Sequence, residues 1–512
     1  MILWRKIFLN LLFLLSSVAI AQGQSEPVDL NMVNRIRQEG LRNSQIRDIS
    51  FNLTDVIGPR LSGSTGLSNA YTWTSEKMKK WGLSNVDVSP WGEFGRGWDN
   101  EKFYIAMTKP YYQHLIAVPR AWTKGTDSLI VTNPVLVSID DDSDFEKYKG
   151  DLNGKVVVMP VTSEPELSFE PVATRWDDED LEALSMYPEI RSPDYGEPRR
   201  QASDWYARRA LNQKIMQFFE EEGVLAVLNP SGTFGAVRSH GRGYDVTVEP
   251  ALVQVDMTFE HYGRIVRLLE ADIDVEIELD IRNRFLYNDL MGYNVLAEIP
   301  GTDPELGDEV VMVGAHLDSW HAGTGGNDNA SGVAVMMEVM RILNDLEVEP
   351  RRTIRIALWG AEEQGLHGSR NYIREHFYDP SDGGKKAGYE KLSAYYNVDN
   401  GSGRIRGIYL QENDALRPVF ESWFEPLEDL GVSTVTLRRT GSTDHVVFDA
   451  IGLPGFQFIQ DRLDYGRGYH TNMDTFERMQ LADMMQAATV VAVLVYHTAM
   501  RDERLPRKEF NP

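Results

Sequence analysis

From residue 293 onward the sequence alternates between short apolar runs and helical periodicity, and no other feature restricts the fold as much. Runs at 294–299, 309–315, 353–359 and 392–398 have strand length, with helical patterns at about 330–343 and beyond 360 between them. Strands joined by crossover helices have to be covered on both faces. The pattern therefore predicts an α/β fold, a sheet sandwiched by helices. The final apolar run, 484–500, is interrupted by Gln486 and His497 and reads as a buried helix rather than a membrane span.

Upstream, a helix near 32–42 leads into the turn-rich loop Gly58-Pro59-Arg60-Leu61-Ser62-Gly63. An amphipathic helix at about 67–81 follows, closed by Gly82. The character changes across 121–286, where short β-rich runs such as 131–139 and 155–160 surround a helix at 207–222. The acidic, proline-rich span 164–200 offers little core and reads as a long surface loop. The expected organisation is a signal at 1–21, the first part of the main domain at 22–120, an inserted β-rich domain at 121–289, and the rest of the main domain at 290–512.

Arg5 and Lys6 precede an apolar run at 7–20 that ends in the small-x-small site Ala19-Ile20-Ala21. The run is shorter than the roughly 20 residues a spanning helix needs. Cleavage near Ala21 and export to the periplasm or medium is expected, with an uncleaved anchor as the alternative. The chain contains no cysteine, which excludes thiol nucleophiles, disulfides and Cys-type zinc sites. The formal charge of -25 becomes -27 once Arg5 and Lys6 are removed, and such a field repels phosphate backbones and anionic membranes. Neither nucleic acid nor stable membrane insertion is expected.

Any metal must therefore sit on His and carboxylates, and the sequence places these at strand ends. His316 and Asp318 follow the run 309–315, Glu362 and Glu363 follow 353–359, and Asp399 closes 392–398. An α/β sheet puts its ligand crevice at such ends. His470 comes from a later loop. Asp328, in Gly325-Gly326-Asn327-Asp328-Asn329 before a helix, reads on its own as an N-cap, whereas in this company its two oxygens could bridge two cations. Zinc suits imidazole and carboxylate ligands. One of the adjacent pair Glu362 and Glu363 could ligate while the other moves a proton. Asp318 could accept a hydrogen bond from the second ring nitrogen of His316. His240 reads as part of a lid loop. The sequon Asn329-Ala330-Ser331 would put a glycan in the cleft and is expected to stay unused.

The segments Ala315-His316-Leu317-Asp318-Ser319, Asn327-Asp328-Asn329, Ala361-Glu362-Glu363-Gln364-Gly365, Asn397-Val398-Asp399 and His470-Thr471-Asn472-Met473-Asp474-Thr475 resemble, in order, the motif series of co-catalytic zinc exopeptidases. That family includes bacterial leucyl aminopeptidases, carboxypeptidase Q and glutamate carboxypeptidase II. The resemblance implies two zinc ions bridged by Asp328, with His316 and Asp399 on one and Glu363 and His470 on the other. It also implies Glu362 as general base, Asp318 behind His316, and a cis Asp328-Asn329 bond. Thr443-Asp444-His445 matches a family pattern near the substrate pocket, with Thr where Ser is common, and leaves the roles of Asp444 and His445 open. Gly154-Lys155-Val156-Val157-Val158 and Glu222-Gly223-Val224-Leu225-Ala226-Val227 resemble a protease-associated domain.

The expected activity is hydrolysis of terminal peptide bonds in short peptides, of aminopeptidase or of dipeptidase or carboxypeptidase type. The alternatives on the same fold are a glutaminyl cyclase and a receptor without catalysis.

Overall fold

A computed structural model describes residues 26–186 and 198–510. The expected signal sequence and part of the acidic span lie outside the described residues. The main sheet has eight strands. In spatial order they are Ser84–Glu93, Met291–Ile299, Thr353–Trp359, Val310–His316, Leu392–Asn397, Gly455–Gln460, Ile405–Tyr409 and Thr434–Thr436. The four central strands, from Thr353–Trp359 to Gly455–Gln460, run parallel. Their carboxyl ends therefore share one edge.

Val310–His316 is buried throughout and shows why such a strand is apolar on both sides. Val311, Val313 and Ala315 face the helices Ser331–Asp345 and Leu481–Met500, while Val310 and Met312 face the layer containing Tyr372, Tyr395 and Phe448. Gly314 interrupts the series because a Cβ there would lie 2.6 Å from Tyr395 Oη and 2.7 Å from Ala357 O.

Leu481–Met500 is long and apolar enough to cross a membrane, but 83% of its apolar window is buried inside the protein. Its two polar interruptions are used internally. Gln486 takes the N–H of Ile405 (3.0 Å) and donates to the carbonyl of the same residue (2.8 Å), while His497 Nε2 accepts from Asp29 N at 3.0 Å. This is the buried helix the sequence led us to expect.

The β-rich region forms two further sheets. One has five strands, Ala117–Pro119, Val253–Met257, Ala226–Pro230, Val156–Val158 and Pro134–Leu136; the other has four, Gln113–His114, Gly97–Lys109, Glu276–Leu286 and Ile130–Thr132. Ser84–Glu93 pairs with Met291–Ile299 in the main sheet, and directly beyond them Gly97–Lys109 pairs with Glu276–Leu286. The excursion from the main sheet thus leaves and returns through two adjacent antiparallel ladders, and the span 121–289 expected as an insertion lies within it or directly beside its return.

The acidic span also departs from expectation, because its described part docks on the main domain. Helix Asp178–Ser185 buries Leu181 and Leu184 against Ile459. Arg175 reaches Asp461 (2.6 Å) and Asp483 (2.7 Å), and Trp176 Nε1 donates to Gln460 O at 2.7 Å.

Leu494 is fully buried between the sheet and its covering helices. Leu494→Ala is expected to cost about 2–5 kcal/mol in urea unfolding. A loss under about 1 kcal/mol would contradict this packing.

Candidate metal centre

His316 ends its strand and is 1% exposed. Its Nδ1 donates to the backbone carbonyl of Asp318 at 3.0 Å, which leaves Nε2 facing Asp328 Oδ1 (3.2 Å) and Asp399 Oδ1 (3.3 Å). Glu362 and Glu363 follow Thr353–Trp359 through a turn in which Ala361 holds φ 58°. Asp399 lies just past Leu392–Asn397, and the neighbouring carbonyl of Val398 accepts from Asn329 Nδ2 at 2.9 Å. His470, also at φ 58°, brings Nε2 to 2.8 Å from Glu363 Oε2 and 3.2 Å from Asp328 Oδ2. Such left-handed backbone in non-glycine residues is uncommon and clusters at functional turns.

Asp328 sits between these groups because its loop can come very close to its neighbours. A Cβ on Gly323 would lie 2.6 Å from Asp474 O, and one on Gly326 would lie 2.7 Å from Thr475 O. The Asp328-Asn329 peptide is cis. Asp328 does not cap the helix. Asn329 instead approaches the first turn, its Oδ1 accepting from Gly332 N at 3.0 Å. Asn329 is fully buried, which accounts for the sequon being unusable in the folded protein.

Two groups of donors result, His316 with Asp328 and Asp399, and Asp328 with Glu363 and His470. Within each, the ligating atoms lie within 4.8 Å of one another. Asp328 belongs to both, one oxygen toward each histidine. Burial pulls the His316 imidazole down, but Asp399 and Glu362 carry it well above its ordinary value. His470 is likewise lifted to about 9 by Asp328 and Glu363 against its burial. Burial and the Asp328 charge raise Glu363 to about 8. Asp328 itself is lowered despite burial, because both histidines favour its ionised form. Asp328 Oδ2 and Glu363 Oε1 are buried without a hydrogen-bond partner. Protons gather where cations would sit, and two buried acceptors stand open. This all-N/O donor set fits zinc.

Residues 294–495 match the family described as Peptidase family M28. The chain is accordingly a hydrolase of the metallopeptidase class. It is 26% identical over 456 residues to carboxypeptidase Q of Bos taurus, covering 89% of this chain and 85% of that one. A Peptidase M28 precursor from Shewanella amazonensis superposes with TM-score 0.66 at 24% identity, covering 94% of this chain and 98% of that one. A zinc aminopeptidase from Bacillus subtilis gives TM-score 0.55 at 19% identity, covering 90% and 96%. At those identities the two structures bear on the fold alone.

Around the M28 centre some residues sit differently from expectation. The Asp318 carboxylate is 3.7 Å from His316 Nδ1, which bonds the Asp318 carbonyl instead. It accepts from the backbone N–H groups of Glu362 (3.1 Å) and Glu363 (3.2 Å) and from Ser62 Oγ (3.1 Å), so it holds the glutamate turn. Glu362 is lifted well above the usual carboxylate range, first by burial and then by Asp399, Asp444 and Glu363, with His316 opposing. Asp444 is fully buried and raised to about 7 by burial, with Ser369 and His316 opposing. His445 turns away, its Nε2 lying 3.0 Å from Gln411 Nε2 and 3.1 Å from Thr440 O. His240 is half exposed, with Nδ1 3.6 Å from Asp256 Oδ2.

The inserted region reaches it through neighbours that sequence did not single out. Ser239 N donates to His470 O (2.8 Å), Val237 N to Asn472 Oδ1 (2.8 Å) and Asn472 N to Val237 O (3.0 Å). Trp320 packs beside His470 with ring centroids 5.9 Å apart. Main-chain pairing of this kind leaves no side-chain signature, although the Asn472 contact had a polar residue to mark it.

Because His470 and Glu363 keep protons up to about pH 9 and 8 in the metal-free protein, a cation must displace protons at neutral pH. Zinc affinity is expected to rise as pH increases from about 6 to 9, with proton release readable by calorimetry in buffers of different ionisation enthalpy. A flat affinity over that range would remove these two groups from the ligand set.

Proposed function

We propose that this protein is an exopeptidase that hydrolyses terminal peptide bonds of short peptides and holds two zinc ions bridged by Asp328. His316 and Asp399 complete one site, Glu363 and His470 the other. The observation that carries this reading is the sharing of Asp328 between two buried donor groups, one oxygen to each. Zinc held there supplies Lewis acidity for the substrate carbonyl and for water.

The chain's own residues do the rest. Glu362 lies in the same turn as Glu363, and its buried carboxyl binds a proton more readily than a solvated one. It takes a proton from the attacking water and returns it to the leaving amine. Asp318 keeps it in place by accepting the N–H of Glu362 and Glu363. The pairing of 237–239 with 470–472 brings the inserted region against the centre, which supports small substrates over folded proteins. The name carboxypeptidase Q in one relative supports action at a chain end. The complete donor set weighs against a receptor that has lost catalysis and against a single-zinc cyclase. The expected signal at 1–21 supports an exported enzyme.

Glu362→Gln is expected to retain metal and lower turnover by about a hundredfold or more. Near-wild-type turnover would take Glu362 out of the mechanism. Asp328→Ala should lose metal at both positions, measured by elemental analysis after dialysis; full occupancy would show that it is not the bridge. Hydrolysis of peptides blocked at one terminus or the other, with and without chelator, reads which end is cut. Activity that survives complete metal removal would sink the proposal.

A further inference from the structure

The loop Gly58-Pro59-Arg60-Leu61-Ser62-Gly63 enters the description above only through Ser62 Oγ on Asp318, yet it is fastened to the centre more tightly than a connecting loop needs to be. Arg60 is fully buried. Among the described residues its guanidinium has no carboxylate partner, and all its hydrogen bonds go to backbone carbonyls. Nε donates to Leu317 O (2.8 Å), Nη1 to Thr324 O (2.8 Å), Leu53 O (3.1 Å) and Gly58 O (3.1 Å), and Nη2 to Gly325 O (2.9 Å). The main chains of Arg60 and Ser319 are joined as well, with Ser319 N donating to Arg60 O at 3.0 Å and Arg60 N to Ser319 Oγ at 3.1 Å.

Leu317 directly follows His316, and Gly325 lies three residues before Asp328. The fork therefore grips the main chain beside both. Space at this point is tight, since a Cβ on Gly325 would lie 2.4 Å from Ser319 Cβ and 2.8 Å from Arg60 Nη2. On the far side, the loop that carries His470 supplies the opposite charge. Asp474, also buried, accepts the N–H of Asn327 (2.6 Å) and of Asp328 (3.0 Å) on separate oxygens. The two ionic groups do not pair with each other. The Arg60 guanidinium holds the carbonyls of 324 and 325, the Asp474 carboxyl group holds the N–H groups of 327 and 328, and the turn bearing Asp328 is stretched between them.

Buried ionic groups are expensive unless every bond is made. Neutral side chains would satisfy a turn at lower desolvation cost, so the expenditure calls for a geometric return. We infer that Arg60 and Asp474 are positioning residues that aim the two oxygens of Asp328, and thereby set how tightly the centre holds its metal. The inference rests on the reading of Asp328 as bridge. It assigns no contact with substrate to either residue.

The test measures zinc affinity by competition with a chromophoric chelator, alongside the thermal midpoint of the metal-free protein, for wild type, Asp328→Ala, Asp474→Asn and Arg60→Lys. Asp474→Asn keeps shape but replaces one of two acceptors by a donor, and Arg60→Lys keeps charge but loses the fork. Both are expected to weaken zinc by about 10- to 100-fold, the usual effect of removing groups that orient ligands, with excess zinc restoring most of the turnover. Asp474→Glu should recover part of the affinity. Wild-type zinc affinity in folded Asp474→Asn would overturn the inference; should Arg60→Lys not fold, that variant decides alone. If instead Asp328→Ala binds zinc like wild type, the bridge reading has failed, which is a different result from this one.

Discussion

Everything at the edge of the main sheet follows from the burial of more carboxylates than the protein can neutralise from within. Asp318, Asp328, Asp399 and Asp444 are all buried, with Glu362 and Glu363 beside them. His316 and His470 lie among them, with Arg60 more distant. Burial drives most of these carboxyls toward their protonated forms, while Asp328, held by both histidines, stays ionised. A site that retains so much latent negative charge in a low-dielectric setting is made for a multivalent cation, because desolvating carboxylates without one would cost several kcal/mol each.

The sheet makes this crowding possible. Val310–His316 lies between Thr353–Trp359 and Leu392–Asn397, with His316 level with Trp359 and Gly314 level with Asn397. Parallel neighbours in this register deliver His316, the glutamate pair and Asp399 to one edge without any long-range search by flexible loops. The remaining two groups come from loops, and those are braced from outside. The Asp328 turn is held by Arg60 and Asp474, and the His470 loop is paired with 237–239 of the inserted region. The inserted region is thus coupled to the centre through main-chain bonds, so movement of that region would be felt at His470.

The parts of the fold that could be read in the sequence were those whose cause is local. The strands at 309–315, 353–359 and 392–398 announced themselves because buried parallel strands must be apolar on both faces. The helix at 484–500 did so because an isolated Gln or His inside an apolar run needs a partner within the protein. The ladder that carries the chain away from the main sheet was not readable in the same way. Strand Gly97–Lys109 opens with polar residues such as Asp99, Asn100, Glu101 and Lys102, and its partner Glu276–Leu286 is far away in sequence. The docking of the acidic span was equally hidden, since it depends on two leucines, Leu181 and Leu184, meeting Ile459.

The same division runs through the centre. The chemical types and their order along the chain, from His316 to His470, are written in the sequence, because metal ligation depends on side-chain identity and strand ends are visible as pattern breaks. Tertiary structure alone decided that Asp328 faces both histidines while Asn329 Oδ1 takes the Gly332 N–H, that the Asp318 carboxylate holds the glutamate turn while its carbonyl takes the His316 Nδ1–H, and that Arg60 ends among carbonyls. Backbone carbonyls and N–H groups are the same in every residue, so the bonds that aim these ligands carry no letter of their own in the sequence. They exist only once the chain has folded.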